Sequence, residues 1–68
     1  MSSITVFINQ VAHQLPVPAC LQDAIAASGV TPPFAAAVNL QFVPRSAYAQ
    51  HPLSANDQVE LISPITGG

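Results

Sequence analysis

Alternating apolar and polar residues predict that the chain begins with a β-hairpin. The apolar residues that share one face of the first extended segment, at a period of two, are Ile4, Val6 and Ile8. Asn9-Gln10 follows as a tight turn, and residues 12–17 are expected to form the returning strand. Pro16 and Pro18 favour an edge position for this strand, because proline cannot donate a hydrogen bond to a neighbouring strand.

A change to helical spacing predicts one α-helix over residues 21–28. The residues that fall on one face of it are Leu21, Ala24, Ile25 and Ser28. Asp23 lies in the first turn, where the helix dipole favours an anion. Gly29 is placed to end the helix, and the prolines at 32 and 33 prevent its continuation.

The second half of the chain returns to short extended segments. Residues 35–40 are predicted to form a third strand, which Phe42-Val43 continues after a turn. Residues 44–50 lack alternation and are expected to hold a short turn of helix. Residues 54–57 have the composition of a turn, and residues 59–62 form the last strand, in which Ile62 faces outward.

The order strand, strand, helix, strand, short element, strand predicts an α+β fold of the β-grasp type. In it a mixed sheet of about four to five strands packs on one helix, with the last strand beside the first. We expect residues 1–62 to form this single domain and residues 63–68 to form a flexible C-terminal tail. Fully extended at ~3.3 Å per residue, such a tail reaches about 20 Å, enough to enter another protein's active site.

Composition narrows the possible partners. Charged residues make up 6% of the 68 residues, whereas about 25% is typical of soluble domains. Arg45 is the only lysine or arginine, so a nucleic-acid partner is not expected, because phosphate contacts require a basic surface. A weakly charged exterior favours association, either with partner proteins or with further copies of the chain.

Other features exclude several classes of site and location. The single cysteine cannot form an internal disulfide, and no cluster of cysteine and histidine suggests a metal site. No uninterrupted run of about 20 apolar residues is present for a membrane span. The N-terminus, Met1-Ser2-Ser3, lacks the basic segment of a signal peptide. We therefore expect a cytoplasmic protein with no metal of its own and no membrane partner.

The printed chain ends in Gly67-Gly68, and this pair is the principal candidate for chemistry. Because glycine lacks a Cβ atom, a diglycine can enter a narrow channel and bring a main-chain carboxylate close to a nucleotide or a sulfur donor. The alternative is a frayed end with no function, since small residues are common at termini.

Three stretches resemble one family. They are residues 36–45, which read AAVNLQFVPR, residues 56–61, which read NDQVEL, and the terminal Gly67-Gly68. Together they resemble the small ubiquitin-like sulfur carriers of the MoaD/ThiS family, and most closely the ThiS-type carriers of thiamine biosynthesis. The resemblance covers nearly the whole chain in length and element order.

This resemblance implies a chemistry for the terminal carboxylate. A ThiF-type adenylyltransferase would use ATP and magnesium to convert Gly68 to an acyl-adenylate. A persulfide sulfur donor on a partner protein would displace AMP, which leads to a thiocarboxylate. A thiazole synthase of the ThiG type would then take the sulfur. In that scheme the chain is a protein co-substrate and not an enzyme, and it binds no cofactor itself.

The remaining candidate residues are assigned to partner binding. Ile65 and Thr66 precede the diglycine and would enter the partner with it. Phe7 and Ile62 are expected to lie exposed and side by side as a docking patch for the adenylyltransferase, or else Phe7 merely covers the sheet. Arg45 pairs with a carboxylate, either in this chain or on a partner.

Several alternatives stay open at this point. Cys20 is interpreted either as a sulfur relay or as a structural residue. The chain is alternatively a small subunit of molybdopterin synthase, a ubiquitin-like modifier joined to target lysines, or an interaction module in which the diglycine is incidental. Removal of Gly68 would abolish carrier function but leave an interaction module intact.

Overall fold

The computed structural model describes residues 2–64, so residues 65–68 of the predicted tail over residues 63–68 lie outside this range. Its elements are β1 (Ser3–Ile8), β2 (Val11–Pro16), α1 (Leu21–Ser28), β3 (Ala35–Val38), β4 (Gln41–Val43), a 3₁₀ helix (Arg45–Gln50) and β5 (Gln58–Ile62). The strands form one sheet in the order β2-β1-β5-β3-β4. None of the helices in residues 2–64 has the length and hydropathy of a membrane span.

The topology confirms the predicted β-grasp fold. β5 pairs in parallel with β1 and antiparallel with β3, so that the last strand lies at the centre of the sheet. β2 occupies one edge of the sheet, as predicted from Pro16 and Pro18. Because β3 is antiparallel to both β4 and β5, those two strands run in the same direction and leave the sheet at the same end, where β3 begins.

The two hairpins have the same kind of connection. Asn9 and Gln10 join β1 to β2 with φ values of 51° and 70°, and Asn39 and Leu40 join β3 to β4 with φ values of 50° and 70°. Two consecutive positive φ angles form the tight turn whose twist matches that of paired strands. The prediction that residues 35–40 are all extended was wrong, because the chain turns at Asn39 and β3 therefore ends at Val38.

Local interactions define both ends of α1. At its start the Cys20 backbone N–H donates to Asp23 Oδ2 at 2.9 Å, which satisfies a donor that the helix itself leaves unpaired. At its end Gly29 adopts a φ of 75° in the left-handed region, where glycine carries no steric penalty. The predicted helix over residues 21–28 is confirmed.

The core lies between α1 and the inner face of the sheet. It draws on every strand, and its most completely buried large side chains are Val6, Leu21 and Val59. The alternation of buried and exposed residues along β5 leaves Ile62 facing outward. The predicted inward and outward faces of the first and last strands are therefore confirmed.

The 3₁₀ helix closes the core beside α1. It begins at Arg45, directly after Pro44, whose extended ψ of 155° marks the change of direction. Since a 3₁₀ helix has three residues per turn, Arg45 and Tyr48 lie on the same side of it. Tyr48 is buried, whereas Arg45 is exposed.

Candidate functional site

The candidate site is the end of the sheet at which β5 leaves the fold. Ile62, the last residue of β5, pairs with Ala35, the first residue of β3. Ser63 and Pro64 continue beyond the sheet and are exposed. The predicted reactive pair Gly67-Gly68 and its neighbours Ile65 and Thr66 lie outside the described residues, so the structure gives the origin of the predicted tail and not its course.

Asn9 extends the contact between β1 and β5 beyond their ladder. The regular parallel register covers only Phe7 with Gln58 and Ile8 with Val59. One residue further on, the Asn9 backbone N–H donates to the Val59 carbonyl at 2.9 Å. Its side-chain Oδ1 accepts the Leu61 N–H at 2.9 Å, and its Nδ2 donates to the Leu61 carbonyl at 3.1 Å. The last half of β5 is thus held on that side by an amide side chain.

The start of β5 is held by a second turn asparagine. Asn39 donates its backbone N–H to the Gln58 carbonyl at 2.7 Å, and its Oδ1 accepts the Gln58 N–H at 3.0 Å. The Asn39 Nδ2 group also donates to Asp57 Oδ1 at 3.1 Å, while Asp57 Oδ2 accepts the Ser54 N–H at 2.8 Å. β5 is therefore fixed at both ends by side chains from neighbouring hairpin turns.

The predicted docking pair of Phe7 and Ile62 is not formed. Both side chains project from the outer face of the sheet, but Phe7 lies opposite Gln58, four residues before Ile62 on the same strand. At the strand rise of about 3.3 Å per residue, the two positions are separated by roughly 13 Å along β5. Phe7 is also half-buried and not exposed. The two strands are neighbours as predicted, but the expected adjacency of the two residues was wrong because it was inferred without the register between the strands. A docking role for either residue stays a prediction.

Phe42 is a second exposed apolar residue on the outer face, on the other side of β3 from Ile62. It lies opposite Ala37 in the β3–β4 pair, and Ile62 lies opposite Ala35 in the β3–β5 pair. Because Ala35 and Ala37 are two residues apart on β3, all four side chains share the outer face. Phe42 is 70% exposed and Ile62 is 59% exposed. Phe42 and Ile62 are two strands and two residues apart, or roughly 12 Å, with the alanines between them, and Glu60 lies opposite Ala37 on the same face. We call Ala35, Ala37, Phe42 and Ile62 the outer apolar patch, which Glu60 borders.

The sequence contains a signal for Phe42 that the prediction did not use. Val43 is an apolar residue one position later, and it is buried in the core. Alternation along a strand then requires Phe42 to face outward. Two small alanine side chains on β3 leave the Phe42 ring uncovered.

Arg45 is one of the residues that line an open cavity of about 470 Å³ on the helix side of the same sheet end. The apolar wall of the cavity includes Ile25, Val30, Phe34 and Tyr48. The rings of Phe34 and Tyr48 are stacked, with centroids 5.9 Å apart and planes inclined by 10°. We call this cavity the Arg45 pocket. The sequence did not predict this cavity, because three segments that are separate along the chain form its walls.

Cys20 lies at the start of α1, where it pairs with Pro52 in an isolated bridge. Its thiol contacts Asp23 Oδ2 at 3.4 Å. α1 and residues 29–34 separate Cys20 along the chain from Ala35, the first residue at the sheet end from which β5 leaves. The contacts of Cys20 are those of a helix-capping residue. Among residues 2–64, no group of three or more potential ligands is arranged to hold a metal ion.

The fold and the position of the site define a class of protein. A five-stranded mixed sheet with one α-helix on its inner face and a central last strand that leads out of the fold is a ubiquitin-like β-grasp architecture. The model of the ThiS family matches residues 4–68, and the chain belongs to that family. It is therefore a small ubiquitin-like protein of the sulfur-carrier class. A search of the curated proteins finds no match.

Proposed function

We propose that this chain carries sulfur for the synthesis of the thiazole ring of thiamine, with the Gly68 carboxylate as the reacting group. The observation that carries the proposal is the match to the ThiS family, which extends through Gly67-Gly68. The central position of β5 supports the proposal, because a strand that is paired on both sides holds the start of the predicted tail in a fixed position.

The proposed chemistry begins with activation of the carboxylate, whose oxide would otherwise be a poor leaving group. A ThiF-type adenylyltransferase transfers AMP from ATP, with magnesium, to the Gly68 carboxylate and releases pyrophosphate. The terminal sulfur of a partner persulfide attacks the acyl carbon and displaces AMP. A thiol then cleaves the resulting acyl persulfide at its S–S bond, so that the thiocarboxylate and a disulfide are formed. A ThiG-type thiazole synthase accepts the sulfur.

In this proposal the chain supplies a carboxylate and a docking surface, and its partners supply the catalysis. We assign the outer apolar patch to the adenylyltransferase contact, in place of the predicted Phe7 and Ile62 pair. A protein interface depends on a few apolar or aromatic anchors near its centre. Ile62 is an exposed apolar residue at the end of β5, and Phe42 is an exposed aromatic residue two strands away on the same face. Ile65 and Thr66 would enter the enzyme with the diglycine.

The test is the intact mass of the protein after incubation with ATP, magnesium, a persulfide donor and the adenylyltransferase. The proposal requires a gain equal to the replacement of one oxygen by sulfur, and none in a variant that lacks Gly68. Addition of the thiazole synthase with its other substrates should restore the original mass. A mass shift that instead reports attachment to a lysine of another protein would favour the modifier function, and an unchanged mass would favour an interaction module.

A further inference from the structure

The direction of the strands brings the Arg45 pocket close to the point at which β5 leaves the fold. Ala36 of β3 lies between Leu61 of β5 and Val43 of β4 in one row across the sheet. Two strand spacings of about 4.8 Å therefore separate β5 from β4 there, or roughly 10 Å. β5 continues into Ser63 and β4 continues into Arg45 at the same sheet end.

The pocket combines an apolar wall with a single fixed charge. Phe34 directly precedes β3 and stacks on Tyr48, and Arg45 stands one 3₁₀ turn before Tyr48 on the same side. A guanidinium group at the edge of an apolar cavity is suited to a carboxylate, which it can bind through two parallel hydrogen bonds. The cavity volume of about 470 Å³ accommodates one or two large side chains.

The charges of the chain indicate which kind of partner group would bind in the Arg45 pocket. Arg45 is the only lysine or arginine of the chain, whereas the side-chain carboxylates number three. Two of these, Asp23 and Asp57, accept backbone N–H groups close to them in sequence, and Glu60 lies in the middle of β5 on its outer side. A partner that binds through Arg45 must therefore present a negative charge at this position.

We infer that the Arg45 pocket is a second docking site for the adenylyltransferase, and that it receives an acidic side chain next to an apolar one from that enzyme. The inference rests on the proposed function. It divides the interface into two parts on opposite faces of the same sheet end, with the departing segment between them. The outer apolar patch, which Glu60 borders, supplies mainly apolar contacts that depend little on salt, and the Arg45 pocket supplies an ion pair that is screened by salt.

The experiment measures the dissociation constant of the full-length protein and the adenylyltransferase at low and at high ionic strength. Arg45→Gln is expected to weaken binding about tenfold at low salt and to remove most of the salt dependence. The matched control is Gln14→Glu, which changes the net charge by the same amount at an exposed site on β2, at the opposite edge of the sheet. It should leave the affinity within about twofold of the wild-type value.

A second variant tests the cavity itself. Gln22 is an exposed residue of α1 that lines the pocket, so Gln22→Trp places bulk at the cavity without a change in the core. Binding is expected to weaken at both ionic strengths. Far-ultraviolet circular dichroism and urea unfolding of each variant separate this effect from a loss of folding.

Three outcomes would overturn the inference, and each leads to a different conclusion. If wild-type protein gains sulfur but Arg45→Gln binds with the wild-type affinity and salt dependence, the docking site is wrong and the proposed function stands. If Arg45→Gln instead separates a dimer of this chain, as measured by analytical ultracentrifugation, the occupant is a second copy. If wild-type protein is never activated by an adenylyltransferase that is active on its own substrate, both proposals fail.

Discussion

Asn9 binds Leu61 through both of that residue's backbone groups, although 52 positions separate them in the sequence. The Asn9 side-chain amide makes two hydrogen bonds to β5 in the place of a further residue of β1. They lie beyond the point at which the main chain turns into β2. Unpaired backbone groups are costly when they are buried. This contact therefore fixes the half of β5 that leads out of the fold.

The Asn9 contact predicts a specific loss of stability. Asn9→Gly removes both side-chain hydrogen bonds but still permits the positive φ of 51° at this turn position. We expect the free energy of unfolding in urea to fall by about 1–2 kcal/mol. Gln10→Gly, the matched control, changes the adjacent turn residue with a φ of 70° and should not destabilise the protein. Equal stability of the two variants would show that the amide contributes nothing.

Amide hydrogen exchange provides a second measure of the same contact. The Leu61 N–H donates to Asn9 Oδ1, so its exchange should become faster in Asn9→Gly by more than the global change in stability explains. The Val59 N–H serves as an internal reference on the same strand. Uniform acceleration of both amides would indicate global destabilisation alone.

Gly29 predicts a purely conformational cost at the end of α1. Its φ is 75°, and a Cβ atom placed there would meet no heavy atom of any residue other than its chain neighbours within 4 Å. Gly29→Ala should therefore lower the free energy of unfolding by about 1 kcal/mol through backbone strain and not through a clash. Gly29→Asn should cost less, since asparagine tolerates the left-handed region better than alanine. Identical losses for the two variants would contradict this explanation.

The outer apolar patch predicts a loss of partner binding without a loss of folding. Phe42→Ser and Ile62→Ser should each weaken binding to the adenylyltransferase about tenfold or more, while the free energy of unfolding changes by less than about 1 kcal/mol. Val17→Ser is the control, because Val17 is 42% exposed and directly follows β2, at the opposite edge of the sheet from β4. Wild-type affinity in both patch variants would place the interface elsewhere.

Cys20 is expected to be dispensable for sulfur transfer. Cys20→Ser preserves a side-chain polar group at the start of α1, where serine is a favoured capping residue, so the free energy of unfolding should change by less than about 0.5 kcal/mol. The mass gain on sulfur loading should be undiminished. Loss of the gain in a stably folded Cys20→Ser protein would restore the sulfur-relay interpretation.

Local patterns in the sequence determined most of the secondary structure. The period of two in residues 4–8, the helical spacing of residues 21–28 and the glycine at 29 each reflect interactions between residues close along the chain. The same is true of Asn9-Gln10, which forms the predicted turn without a glycine. The stretches that resemble the sulfur carriers also lie in the printed sequence, and the match to the ThiS family over residues 4–68 confirms that resemblance.

Only the tertiary structure decided which outward-facing residues are neighbours. Alternation determines the face of a strand on which a side chain lies, but the register between strands depends on pairing partners that are distant in sequence. For this reason Phe7 and Ile62 were assigned to the correct face and to the wrong neighbourhood, and Phe42 was not selected. The Asn9 contact with Leu61 and the walls of the Arg45 pocket have the same origin, since each requires segments that meet only when the sheet has formed.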